Sequence, residues 1–316
     1  MTTVSDGLYQ YGGVPVGGMF SPGRAIFVRP GTGSDGNNGK SPAKAVKTLA
    51  QALLMATANA GDVVYLIAES NTASSTTDYQ SATLDWNKDG VHLIGMNCGP
   101  LIGQRSRIGQ LSTVLTVNSL FKVSANNCLI ANIEVFQGVA SSTATTPIAV
   151  EVTGQRNLFQ NCQISGIGDT SMDVSGARSL KISGSENTFK HCYIGLDTVI
   201  RATTGAETEV ADSTARTVFE DCMFDTYTSN SSLVMVKYAA PDRFILFKNC
   251  TINAVNNITS AVSPTVALSA PSTINGQIIF HHSCVSGFTD VIAAGRVFIS
   301  AAAGSVADMG LATNYS

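Results

Sequence analysis

A chain of 316 residues that is 44% hydrophobic can bury a sizeable core, while its 13% charged residues are about half the usual share. The formal net charge of -3 leaves no broad basic face and argues against a nucleic-acid partner, and no run of about 18 apolar residues is present to cross a membrane as a helix. Polar surface must come from Ser, Thr, Asn and Gln, which suits β-structure with many polar turns.

Residues 1–25 read as an extended N-terminal arm. Its Gly and Pro oppose helix and regular sheet, yet Leu8, Tyr9, Tyr11, Val14, Val16 and Phe20 make it too apolar for a solvated linker. Such an arm must lie on its own body, on a neighbouring subunit or on another protein, and these six residues are the candidate partner contacts. The first residues carry neither a basic leader nor an apolar core, so no secretory signal is expected. Residues 26–70 read as a cap of strand, helix and strand. Ala25-Ile26-Phe27-Val28 is a strand and residues 31–39 a long turn; Ser41 is the expected helix N-cap with Pro42 at the first helical position. Ala45, Leu49, Ala52, Leu53 and Ala56 recur at helical spacing to about Asn59, and Val63-Val64-Tyr65-Leu66-Ile67 is a buried strand. An amphipathic helix there covers the open end of a stacked array. Residues 71–83, rich in Ser and Thr, read as a surface loop.

From Val91 onward the chain repeats. Cysteines fall at Cys98, Cys128, Cys162, Cys192, Cys222, Cys250 and Cys284, a near-constant spacing from each to the next. Phe159, Phe189, Phe219 and Phe247 each stand three residues before a cysteine, and Phe280 stands four before Cys284. Self-similarity at such a period signals a stacked or radial array. One position repeated on successive rungs makes each cysteine a small buried hydrophobe, a free thiol suited to a reducing compartment. The residue before the cysteine is Asn, His, Asp or Ser, which predicts a bend that turns Phe and Cys inward together and a polar ladder at that corner. Two residues before it stand Lys190, Glu220 and Lys248, and six before it Arg156, Glu186 and Arg216: ion ladders on the outside. The insertions at 140–147, 166–175, 203–213, 225–232 and 256–272 map to loops on one side. Residues 71–300 therefore form the repeat body and 301–316 a tail.

The opening strand, the segment Gly33-Ser34-Asp35-Gly36-Asn37-Asn38-Gly39 with Ser41-Pro42-Ala43-Lys44, the segment Gly61-Asp62-Val63-Val64-Tyr65 and the Phe-x-x-Cys-x-Ile rungs resemble pectin-lyase-like right-handed parallel β-helix proteins. The resemblance covers roughly residues 25–300. It implies an all-β, single-stranded parallel β-helix of about seven rungs, about 34 Å tall at about 4.8 Å per rung, with an N-terminal capping helix and the extended arm. It says little about chemistry, because that fold hosts polysaccharide lyases, glycosidases, bacteriophage tailspikes and non-enzymatic virion proteins.

The sequence offers few catalytic candidates. The Asp-Asp, Gly-His-Gly and Arg-x-Lys signatures of polygalacturonases are absent. Glu207, Glu209 and Asp212 read as one acidic loop that could meet a cation, and Asp169 and Asp173 as a further carboxylate pair. Gly39-Lys40-Ser41 lacks the glycine of a phosphate loop, Asp35-Gly36-Asn37-Asn38-Gly39 fails the EF-hand pattern, and His191, His281 and His282 lie far from any nucleophile. No catalytic, cofactor-binding or metal-ligating residues are therefore expected. The leading expectation is a non-enzymatic bacteriophage protein made in the host cytoplasm, a capsid decoration or cement protein on the virion surface, trimeric and bound to the major capsid protein. The alternative is a tailspike or tail-fibre component that binds or cleaves host-surface polysaccharide, for which the single Trp86 is a weak stacking candidate. A free polysaccharide lyase or hydrolase stands third.

Overall fold

The computed structural model describes residues 23–68, 77–96, 102–103, 106–211, 214–239, 242–256, 263–270 and 276–292, with backbone alone for the strands at 2–4, 8–11, 14–16 and 297–300. Cys98, Phe20, Asp212 and the tail 301–316 lie outside the described residues, as do the side chains of Leu8, Tyr9, Tyr11, Val14 and Val16.

The repeat winds into a parallel β-helix. In each turn the chain contributes one strand to each of three sheets, and every strand pairs in parallel with the strand one turn earlier. The first sheet has ten strands, from Ala25–Val28 through Val63–Leu66 to Val297–Ser300; it carries the phenylalanines. The second and third have eight strands each, starting at Thr77–Gln80 and at Leu84–Trp86. One complete turn thus precedes the seven expected rungs, and Thr77–Gln80, within the Ser/Thr-rich segment expected to be a surface loop, is strand. Its β-character lay in Tyr79, obscured by polar neighbours. The arm differs as well: its strands Thr2–Val4, Leu8–Tyr11 and Val14–Val16 pair as an antiparallel sheet.

The coil interior is a phenylalanine stack. Phe159, Phe189, Phe219, Phe247 and Phe280 lie one above another with centroids 4.7, 5.0, 5.2 and 5.0 Å apart. All are at most 1% exposed, each burial contributing about 1.5–3 kcal/mol. After the stacked strand, Asn161, His191, Asp221 and Asn249 adopt left-handed backbone at φ 51, 51, 53 and 53°. That bend lets Phe and Cys both face inward, as their spacing required. The corner side chains are bonded in a column, Asn161 Nδ2 to Asn132 Oδ1 at 2.8 Å and Asn249 Nδ2 to Asp221 Oδ1 at 3.0 Å.

The cysteine column holds four of the six described cysteines. Cys162, Cys192, Cys222 and Cys250 are buried thiols, and each donates to a first-sheet carbonyl of the previous turn, Ile130, Phe159, Phe189 and Phe219, at 3.3–3.5 Å. Cys128 is buried but precedes its strand Leu129–Ala131, and its backbone N–H donates to Asn157 Oδ1 of the next turn at 2.8 Å. In its turn the left-handed corner is Asn132, followed by Ile133 in the place of the cysteine. At the other end the left-handed residue is His282, so Ser283 takes the cysteine position and its hydroxyl donates to Phe247 O at 3.1 Å. Cys284 falls one residue later and is exposed. The two long steps on either side of the regular set, Cys128 to Cys162 and Cys250 to Cys284, mark these departures. Burial raises the pKa of the Cys128 thiol to about 11 and that of Cys192 well above the ordinary thiol range, and the contact with the Cys222 thiol, together with burial, raises that of Cys250.

The outer ladders pair as the alternating signs required. Lys190 and Lys248 flank Glu220 at 3.3 and 2.7 Å, and Arg156 and Arg216 flank Glu186 at 2.7 and 2.8 Å. The third sheet carries another such column, Asp85, Lys122, Glu151, Lys181, Glu209 and Lys237, in register strand by strand.

The cap helix begins later than the sequence predicts. Pro42–Lys44 is a single 3-10 turn, and Val46 instead bridges to Val28 in extended conformation. Asp35 accepts from the backbone N–H groups of Lys47 and Thr48 at 2.8 and 2.9 Å, which holds the segment straight. The α-helix then runs Leu49–Met55 with Thr48 as its cap, its hydroxyl accepting from Gln51 N at 3.1 Å. Leu49, Ala52 and Leu53 close the end of the main core.

Candidate functional site

On the second sheet, Tyr79, Gly109 and Phe136 occupy one outward position on consecutive strands, and Thr77, Arg107 and Glu134 the next outward position along. The two aromatic residues are therefore two strands apart, about 9.6 Å at about 4.8 Å per strand, with a glycine between them. That glycine is required: a Cβ on Gly109 would stand 2.7 Å from Thr77 Cγ2 and 3.5 Å from the Tyr79 ring. Gly138 and Gly168 do the same for Phe136, since a Cβ on either would come within 2.7 and 2.5 Å of its ring. The glycines keep both rings low against the sheet.

The result is a groove of about 370 Å³ lined by Thr77, Tyr79, Arg107, Gly109, Gln110, Leu111, Ser112, Phe136 and Gly138. Tyr79 is 45% exposed, an unusual position for a large aromatic side chain on a folded surface. The Arg107 guanidinium lies 5.8 Å above the centre of the Phe136 ring and 2.6 Å from Glu134, whose carboxylate is buried beside it. Three buried polar atoms of the lining, Thr77 Oγ1, Arg107 Nε and Gln110 Oε1, have no hydrogen-bond partner among the described residues. Buried polar groups are almost always paired, and each one left alone costs about 1–3 kcal/mol. One donor, one acceptor and one hydroxyl left over in one groove match a ligand that can bond in both senses.

Further along the same outer face stands a second polar group. Asp225 accepts from Asn253 Nδ2 at 3.0 Å, with the Tyr193 hydroxyl 3.5 Å from its other oxygen. Burial, reinforced by the charge of the exposed Asp197, pushes Asp225 above the ordinary carboxylate range against the pull of the Asn253 bond. Burial likewise raises Tyr193.

The acidic residues singled out from sequence are held elsewhere. Glu207 and Glu209 lie on the strand Ala206–Val210 rather than in a loop. Arg201, 1% exposed, bridges Asp173 at 2.7 Å and Glu207 at 2.5 Å, and Arg178 binds Glu209 at 2.8 Å. Each carboxylate is matched by a guanidinium, so they stitch successive turns together. Asp169 does not pair with Asp173; it caps the turn Thr170–Met172 through Ser171 N. Trp86 is buried in the core with its indole N–H on Val91 O at 2.9 Å, which removes it as a sugar platform. His191 extends the corner ladder through Asp221 at 3.1 Å. Among the described residues no three His, Cys, Asp or Glu side chains converge to hold a metal.

The groove residues belong to the first turns, where the Phe-x-x-Cys text is missing, so repeat reasoning passed over them. Their one signal is that Tyr79, Gly109 and Phe136 stand roughly one coil period apart, which carries the repeat upstream.

No protein-family model matches the chain, and no curated protein matches it in sequence. Among solved structures it is similar to a rhamnogalacturonan lyase, with a TM-score of 0.57 and 17% identity over 83% of this chain and 68% of the other. It is also similar to the pectate lyase Pel9A, with a TM-score of 0.58 and 17% identity over 84% of this chain and 63% of the other. The chain thus spans about two thirds of the length of these two proteins, and at this identity the likeness shows the fold, a right-handed parallel β-helix. The expectation of a non-enzymatic chain is corrected by the same finding: the structures sharing its coil are enzymes named for polysaccharides. The missing polygalacturonase motifs therefore speak against one known site and not against catalysis as such.

Proposed function

We propose that this protein binds and cleaves a polysaccharide laid along the outer face of the second sheet. The carrying observation is the groove in which Tyr79 and Phe136 offer two aromatic faces flanking Arg107, with three buried polar atoms unmatched. Apolar faces of sugar rings stack on aromatic side chains, and sugar hydroxyls both donate and accept. Tyr79, the exposed edge of the groove, turns outward to admit a hydroxyl to Thr77, Arg107 and Gln110. Asp225 lies on the same face, three strands or about 14 Å beyond Phe136. Its raised pKa suits a proton donor. In hydrolysis Asp225 would protonate the leaving glycosidic oxygen as its C–O bond breaks, and the exposed Asp197 carboxylate would take a proton from the water that adds to the anomeric carbon. In this reading the chain is a tailspike or tail-fibre component, trimeric and anchored through residues 1–25, in place of the capsid decoration expected first.

Incubation with a panel of bacterial capsular and lipopolysaccharide glycans tests the reading, with binding followed by calorimetry and cleavage by reducing-end release. The wild type should bind at least one glycan, and Tyr79→Ala with Phe136→Ala should weaken that binding tenfold or more with an unchanged circular dichroism spectrum. Asp225→Asn should abolish cleavage while binding persists. A folded double variant that binds as tightly as the wild type would overturn the assignment.

A further inference from the structure

We infer that the groove selects neutral sugar residues and rejects uronates, although its lining carries an arginine. This rests on the groove being a carbohydrate site. Arg107 is the one charged residue among the described groove lining, and a lone arginine would favour a sugar carboxylate through a paired, charge-assisted contact. Here that charge is already spent. Glu134, on the neighbouring strand and 2% exposed, stands 2.6 Å from Arg107 Nη2. The pair is neutral as a unit, and a second carboxylate would meet Glu134 at close range in a site poorly screened by water.

With its charge balanced by Glu134, the guanidinium offers its Nε, buried and without a hydrogen-bond partner among the described residues, as a donor that a neutral hydroxyl can meet. Thr77 Oγ1, in register with Arg107 on the neighbouring strand, offers a hydroxyl, and Gln110 Oε1 in the same lining offers an acceptor. A carboxylate can only accept, so it would leave the Gln110 oxygen unmatched. Sugar hydroxyls both give and take, so a neutral sugar can serve donor and acceptor alike. The field along the face points the same way, for the exposed Asp197 carboxylate stands further along it and would repel a polyanion.

The test compares neutral glucan, galactan and mannan oligomers with an oligogalacturonate of equal length, by calorimetry at low and at high salt. Wild type should bind one of the neutral oligomers at least tenfold more tightly than the uronate, with little salt dependence. Glu134→Gln, which keeps the shape and frees the arginine charge, should raise uronate affinity about tenfold or more and make it fall with salt. A wild type that prefers the oligogalacturonate, with binding lost in Tyr79→Ala, would overturn the inference while leaving the groove a carbohydrate site. Failure of every oligomer, neutral and acidic, to bind would overturn the carbohydrate reading itself, and a Glu134→Gln variant that folds but gains no uronate affinity would refute the role given to Glu134.

Discussion

Replacing Asp78 with Asn should stabilise the capped end of the coil at neutral pH and leave it unchanged in acid. Asp78 occupies the inward column of the second sheet, in register with Ile108, and is 3% exposed. Its carboxylate accepts from Leu49 N, the first residue of the cap helix, at 3.0 Å and from Gln80 Nε2 at 2.7 Å. Burial outweighs both bonds, and the nearby charge of Asp35 adds to it, so the group titrates at about 6 against 3.8 for an ordinary aspartate. Between those values the folded chain binds more protons than the unfolded one, and stability therefore falls as pH rises from about 4 to about 6 and is level above. At about 1.4 kcal/mol per tenfold, the difference between 3.8 and 6 costs about 3 kcal/mol at pH 8. Both donors point at one oxygen, Asp78 Oδ2, so an asparagine that keeps its carbonyl oxygen in that place still accepts from Leu49 N and from Gln80 Nε2. Urea unfolding followed by Trp86 fluorescence reports on this end, because the one tryptophan lies buried in the first complete turn. The two proteins should have equal stability near pH 3.5, and Asp78→Asn should be more stable by up to about 3 kcal/mol at pH 8. A variant less stable than the wild type at pH 8 would refute the reasoning, since the bonds to the ionised carboxylate would then outweigh its desolvation.

Truncation in the aromatic stack tests the other source of stability. Phe189 is sandwiched between Phe159 and Phe219 with no exposed surface, so Phe189→Ala should cost about 3–5 kcal/mol in urea denaturation; a cost under about 1 kcal/mol would mean that the turns slide together to refill the gap. Thiol labelling of the native chain, mapped by mass spectrometry, should modify exposed Cys284 at least a hundredfold faster than Cys192 or Cys250, whose thiols burial holds protonated. Comparable rates would show that the coil opens far more readily than its packing implies.

Much of this molecule is written locally and repeats. The period of the cysteines, the Phe three residues earlier and the Asn or Asp between them determine a bend, an inward stack and a corner ladder, because each depends on residues adjacent in the chain and on identical neighbours one turn away. The ion ladders follow from the same register, and Glu186 and Glu220 stand between the very bases that the alternation named. Register itself was fixed elsewhere. Whether Cys128 or Ile133 fills the inner column, and Cys284 or Ser283, depends on where the left-handed residue falls, at Asn132 and His282. The helix start at Thr48 in preference to Ser41 depends on Val46 being claimed by Val28, a contact from another segment. The groove is of this second kind: Tyr79, Arg107 and Phe136 share no motif and become neighbours only when three turns stack in parallel. Whether the charge of Arg107 is free or spent was decided by Glu134, a full turn away along the chain and 2.6 Å away in the fold.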